Sequence, residues 1–125
     1  MTLTRNAIMG LPPGAKLDAL VAERVMGWTS YKSDVGRLFG VEVMTFWSPP
    51  GKFRAGAVLP PYSTDIAAAW RVVEKLTGSQ PPPRFTLAYA EGRRAWTCNF
   101  GNGWVDAPTA PLAIVRAALL AVTSR

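Results

Sequence analysis

A chain of 125 residues, 49% hydrophobic and 18% charged, is long enough to bury one core and too apolar for general disorder. Its 14 Lys+Arg against 8 Asp+Glu give a formal charge of +6, which favours anionic partners without choosing among nucleotides, nucleic acid and acidic lipid. The chain has no histidine, which removes Ser-His and Cys-His nucleophile pairs, histidine acid–base chemistry and histidine metal sites; the lone Cys98 excludes zinc ribbons and internal disulfides.

Pro12-Pro13-Gly14 introduces the first predicted helix. Leu17, Leu20, Val21, Arg24 and Val25 recur at a spacing of three to four as far as Gly27, a suitable C-terminal stop. Residues 41–47 and 53–59, bracketed by Pro49-Pro50-Gly51 and Pro60-Pro61, read as short strands. The second predicted helix is capped by Ser63 or Thr64, carries Asp65 in its first turn and stops at Gly78. Ile66, Ala69, Trp70, Val73 and Leu76 form its apolar stripe, and Pro81 to Pro83 forbid its continuation.

A hairpin follows. Phe85, Leu87 and Tyr89 alternate with Thr86 and Ala88, Glu91-Gly92-Arg93-Arg94 makes the turn, and Trp96, Cys98 and Phe100 alternate on the way back. After Gly101-Asn102-Gly103 comes a short piece, residues 104–106. A third helix starts at Pro111 with Thr109 as its cap, and residues 112–122 are apolar nearly all round, the mark of a helix packed on several sides. The order implies an α+β fold, a small layered α/β/α sandwich with a mostly antiparallel sheet and three helices, in one domain over residues 1–125.

The scattered carboxylates make no DxD or ExxE cluster for magnesium, and Gly101-Asn102-Gly103 is too short for a dinucleotide fingerprint. No catalytic residue, metal ligand or cofactor is therefore assigned, and a non-enzymatic role is expected. Residues 1–14 lack the sustained apolar region of a secretory signal. The stretch 111–122 is broken by Arg116 and falls short of the ~20 residues that span a bilayer. A cytoplasmic setting is expected, with no membrane.

Seven residues are candidate ligand contacts. Arg116 is the one charge in residues 112–122; because an unpaired buried guanidinium is costly, it reaches a phosphate, pairs with Asp106 or Asp65, or extends its stem to solvent. Arg93 and Arg94 form a basic hairpin tip, either solvated or closing over a diphosphate. Asn99 lies on the strand face opposite Trp96 and Cys98, where it reads a base edge or ribose hydroxyl, or simply begins a turn. Tyr89 either stacks on a base or fills the core, while Trp104, near an element end, suits stacking or an interface. Trp28 and Trp47 are placed similarly, whereas Trp70 and Trp96 read as core. Asp65 suits a ribose hydroxyl better than a phosphate, with plain helix capping as the alternative.

Two blocks, YSTDIAAAWRVVEKL (residues 62–76) and APLAIVRAALLA (residues 110–121), joined by the hairpin, resemble the phage αβα-sandwich domain family, as does the opening LDALVAERVMGW (residues 17–28). One departure is Val115, where the family often has a cysteine before the arginine kept here as Arg116. The pattern is also similar to Thoeris anti-defence proteins, which sequester cyclic ADP-ribose signals. That resemblance implies a phage-encoded sponge binding a nucleotide immune signal, a cyclic ADP-ribose isomer or cyclic oligonucleotide, without cleaving it, as a homo-oligomer. The alternative is a phage accessory protein-interaction module or an inhibitor of a host protein. Specific nucleic-acid binding ranks lower, because the basic residues are spread rather than clustered.

Overall fold

The computed structural model describes residues 4–33, 44–51, 57–78 and 84–123. In chain order they form α1 (Arg5–Gly10), α2 (Ala15–Arg24), β1 (Thr29–Ser33), β2 (Met44–Ser48), α3 (Ile66–Thr77), β3 (Thr86–Ala90), β4 (Ala95–Asn99), β5 (Val105–Ala107) and α4 (Ala110–Thr123), with a 3-10 turn at Glu91–Arg93. The fold is mixed α+β, as the element pattern implies. It departs from the expectation in having four described helices rather than three. The additional one, α1, is a short helix whose Thr4 side chain accepts a hydrogen bond from the Ala7 N–H; six residues are too few for periodicity to reveal.

All described strand pairs are antiparallel, and they make two sheets: β1 with β2, and a three-stranded sheet in the order β3-β4-β5. Strand β1 follows a left-handed Gly27 and pairs Thr29 with Ser48 and Ser33 with Met44. Its mixed, polar TSYKS sequence hides it from hydrophobic patterning. The expected strand at 41–47 is realised as β2, residues 41–43 lying outside the described part of the chain. Of the strand expected at 53–59, residues 53–56 lie outside that part and 57–59 are not in a strand; the Ala57 N–H donates to the Trp47 carbonyl at 3.2 Å. The triple proline at 81–83 also lies outside the described residues.

The core gathers around α4. Residues 111–115 and 117–121 of this helix are all buried, which matches its unbroken apolar sequence. Cys98, Val105 and Ala107 meet it from the sheet, Val72, Val73 and Leu76 from α3, Leu17 and Val21 from α2, and Ile8 from α1. At roughly 1.5–3 kcal/mol per fully buried aliphatic or aromatic side chain, this cluster is what holds the helices on the sheet.

The third helix of the core, α3, corrects two expectations. Its cap is Asp65, whose Oδ2 accepts from the Ala68 N–H at 3.0 Å; Ser63 and Thr64 precede it in a turn. Ser63 is buried instead, its hydroxyl accepting from the Gly14 N–H at 2.9 Å and its N–H donating to Asp18 Oδ1 at 2.7 Å, which ties the start of α2 to the approach of α3. The buried face of α3 is Ala68, Ala69, Val72, Val73 and Leu76, so the stripe is turned from the expected one. Ile66 and Trp70 are 49% and 45% exposed, and Trp70 is therefore not core; its ring meets Phe85 edge-on at 5.8 Å.

Candidate functional site

Strand alternation divides the three-stranded sheet into two faces. The register pairs Leu87 with Cys98, Tyr89 with Trp96, and Cys98 with Val105, and this face turns toward α4. The opposite face carries Thr86, Ala88 and Ala90 on β3, Ala95, Thr97 and Asn99 on β4, and Asp106 on β5, with Thr97 directly between Ala88 and Asp106. Small side chains at most of these positions leave room above the strands.

A cleft of about 350 Å³ opens on this outer face, lined by Arg93, Thr97, Trp104 and Asp106. Each side chain arrives by a local cause. The 3-10 turn and Arg94, in the left-handed region at φ 51°, bring the hairpin tip back over β4 and place Arg93 near β5. Gly101 and Gly103, at φ 97° and 109°, curl the next connection so that Trp104 precedes β5 at the rim. The Arg5 Nη2 of α1 donates to the Trp104 carbonyl at 2.9 Å and holds that rim from outside.

Chemically, the cleft combines three kinds of group. Arg93 Nε lies 3.2 Å from Asp106 Oδ2, and its Nη2 donates to Oδ1 at 3.5 Å; both side chains are exposed, so the pair is worth about 0–1 kcal/mol. Trp104 presents a ring that is 51% exposed. Thr97, only 7% exposed, forms the floor, and its Oγ1 has no hydrogen-bond partner among the described residues. A buried hydroxyl left this way costs about 1–3 kcal/mol. Thr97 was not singled out in the sequence; alternation puts it beside Asn99, but only the fold reveals that its hydroxyl is stranded.

The seven candidates from the sequence separate into distinct places. Arg93 and Trp104 come together in the cleft, and Asn99 shares its face two residues from Thr97. The Asn99 carboxamide oxygen accepts from the Gly101 N–H at 2.6 Å and so shapes the turn. Arg94 is exposed at the hairpin tip beside Arg93. Tyr89, 49% exposed, lies on the other face with its ring 5.4 Å from Trp96, which is partly buried against the core. Asp65 serves as the α3 cap. Arg116 pairs with neither Asp106 nor Asp65: its Nη2 donates to the Leu11 carbonyl at the end of α1 at 3.1 Å, and its buried Nε has no partner among the described residues. Burial lowers its pKa from the ordinary arginine value.

A second cleft, of about 450 Å³, lies between α1, α2 and the β1–β2 pair, with Leu11, Leu20 and Trp47 as its apolar lining and Lys16, Glu23 and Arg24 among its charged residues. It is the larger of these two, but it contains none of the seven candidates. Among the described residues no group of three acidic or cysteine side chains is placed to hold a metal ion, and no helix is long and apolar enough to cross a membrane.

Layered helices around a small antiparallel sheet, with a polar cleft on the face turned from α4, define an α+β sandwich protein. The chain belongs to the phage ABA sandwich domain family, whose description matches residues 19–119. It is also similar to a phage protein from Bacillus cereus ATCC 14579 known from a crystal structure: TM-score 0.61, 26% sequence identity, covering 90% of this chain and 94% of that one. No curated protein matches it.

Proposed function

We propose that this phage ABA sandwich protein binds a nucleotide immune signal, a cyclic ADP-ribose isomer or cyclic oligonucleotide, and withholds it from its receptor without cleaving it. The reading joins the resemblance to Thoeris anti-defence proteins with one observation that supports it, the outer-face cleft lined by Arg93, Thr97, Asp106 and the half-exposed Trp104. An aromatic plane offers stacking to a base, Arg93 supplies a cationic group in the cleft, and Arg94 is exposed next to it in the hairpin turn. No covalent step is assigned, because the sequence has no histidine and its one cysteine is buried, with desolvation raising the thiol pKa to about 12. The setting is the host cytoplasm during infection, and the expected state is a homo-oligomer.

The test is retention. Purified protein is incubated with the product of a signalling TIR enzyme, the free signal is assayed, and the sample is then heated and assayed again. Signal that vanishes before heating and returns intact afterwards is the expected outcome. Signal that never vanishes overturns the reading, and signal that returns as a cleaved product makes the protein an enzyme.

A protein-interaction module is a second reading, favoured by Ile66 and Trp70, which stand one turn apart on the exposed side of α3. Stoichiometric capture of one host protein without any nucleotide would support it.

A further inference from the structure

We infer that two copies of this chain join along β3: the strand pairs antiparallel with β3 of a second copy, and the two three-stranded sheets become one of six strands. The inference does not depend on nucleotide binding; it names the interface of the expected homo-oligomer.

The fold leaves this edge open. The strand order β3-β4-β5 gives β3 a single neighbour, so the backbone N–H and C=O groups along its outer side have no ladder partner among the described residues. Sheet edges are ordinarily guarded by charge, proline, a bulge or a covering element. Strand β3 reads Thr-Leu-Ala-Tyr-Ala, with no charge and no proline, and its register with β4 runs unbroken from Thr86 opposite Asn99 to Ala90 opposite Ala95. The other edge of the sheet is different. Strand β5 is three residues long, carries Asp106, and follows directly on the Trp104 carbonyl that Arg5 holds.

What fits the β3 edge is the same edge turned round. A two-fold axis at Ala88 keeps all five residues paired, with Ala88 facing its own copy, Leu87 facing Tyr89 and Thr86 facing Ala90. Each pair then lies on one face of the joined sheet: Leu87 and Tyr89 on the side turned to α4, and the small Thr86, Ala88 and Ala90 on the outer side. The aromatic groups extend the joint. Tyr89 is 49% exposed, and Trp70, 45% exposed, sits against Phe85. In this register Tyr89 of the second copy is the diagonal neighbour of Phe85, about 7–8 Å away and within reach of an aromatic ring. Charge agrees with the register as well. Exposed Arg84, just before β3, comes level with Glu91 and Gly92 of the second copy, and the symmetry makes this contact twice. The other cations of that turn lead away, Arg93 toward Asp106 and Arg94 into β4.

The experiment measures self-association of the full chain by sedimentation equilibrium and locates the joint by disulfide trapping. Wild type is expected to form a dimer or a multiple of one at micromolar concentration. Ala88→Cys places two thiols on the axis, where facing Cα atoms are about 4.5–5.5 Å apart, inside the roughly 4.4–6.8 Å that a disulfide needs. Diamide should convert this variant to a covalent dimer. Thr86→Cys, whose two copies lie more than about 10 Å apart, should stay uncrosslinked, as should wild type with its buried Cys98. Arg84→Glu and Glu91→Arg, each alone, should weaken self-association roughly tenfold by setting like charges against each other at two contacts. Mixing the two variants should restore it, because each copy then meets the opposite charge at both contacts.

A monomeric wild type overturns the inference and leaves nucleotide retention standing, since one copy supplies the whole cleft lining. So does an oligomer in which Ala88→Cys crosslinks no faster than Thr86→Cys, or in which the two charge variants fail to recover on mixing. A dimer trapped at Ala88 that retains no signal sustains the inference and overturns the nucleotide reading alone.

Discussion

Thr97 Oγ1 and Arg116 Nε are buried polar atoms without a hydrogen-bond partner among the described residues, yet their surroundings differ. Thr97 lines an open cleft on the outer face of the sheet. Arg116 lies against the end of α1, and its hydrogen bond to the Leu11 carbonyl joins residues 105 positions apart. Its expected contribution is structural. Arg116→Met, which keeps the apolar stem and deletes the head, should lower unfolding stability by about 1 kcal/mol, the net value of one hydrogen bond. Arg116→Ala should cost more, because the stem's packing goes too. Denaturant unfolding of both variants checks this; a loss of 3 kcal/mol or more for the methionine variant would mean that a buried charge pair had been broken. The apolar surroundings that make Arg116 conspicuous are legible in the sequence, but its partner is a main-chain carbonyl, which no side-chain pattern announces.

At the level of elements, α3 illustrates the division between local and tertiary causes. Its existence, its stop at Gly78 and the acidic residue at its start follow from short-range chemistry, and the structure has all three. Which residue caps depends on where the preceding turn ends, and Ser63 is drawn into the contact with Gly14 and Asp18 instead. Asp65→Ala is expected to reduce stability by about 1 kcal/mol, with Asp65→Asn retaining most of it, as measured by chemical denaturation. Nucleotide retention should survive the change, because the cap is not part of the cleft lining. The observed stripe departs from the expected one at Trp70 for a related reason. A helix with alanines at Ala67 to Ala69 satisfies more than one apolar phase, and packing on α4 selects the phase that leaves Trp70 against Phe85 at the edge. The hairpin fared better. Period-two alternation and the Glu91–Arg94 turn correspond to β3, the 3-10 turn and β4, and they place Asn99 and Thr97 on a common face.

For the whole molecule, burial of ionisable groups makes stability sensitive to alkali. The thiol of Cys98, fully buried, is pushed up to about 12 by desolvation, and the buried Tyr62 phenol is also raised, chiefly by desolvation, against the lowering effects of the Trp28 hydrogen bond and Arg71. Below pH ~8.5 the cysteine is protonated whether the chain is folded or not, and its contribution does not vary. Above that pH the unfolded chain ionises while the folded one does not, so stability falls as pH rises toward about 12. A loss on the order of 1–2 kcal/mol between pH 8 and pH 10 is expected in denaturant titrations, and Cys98→Ala should remove much of it.

By itself the sequence determined the fold class, the apolar helix at the centre of the core, the hairpin, and the absence of histidine chemistry, because these follow from composition and from periodicities of a few residues. The two basic and aromatic residues that meet in the cleft, Arg93 and Trp104, were also legible as candidates, each for its own local reason. Tertiary structure decided their assembly. Antiparallel register set Asp106 across from Thr97, claimed Arg93 for that carboxylate, and left the Thr97 hydroxyl buried without a hydrogen-bond partner among the described residues. Those relations join positions that no short-range pattern couples, since they arise only when β5 returns alongside β4 and the core against α4 fixes which face of the sheet is left outside.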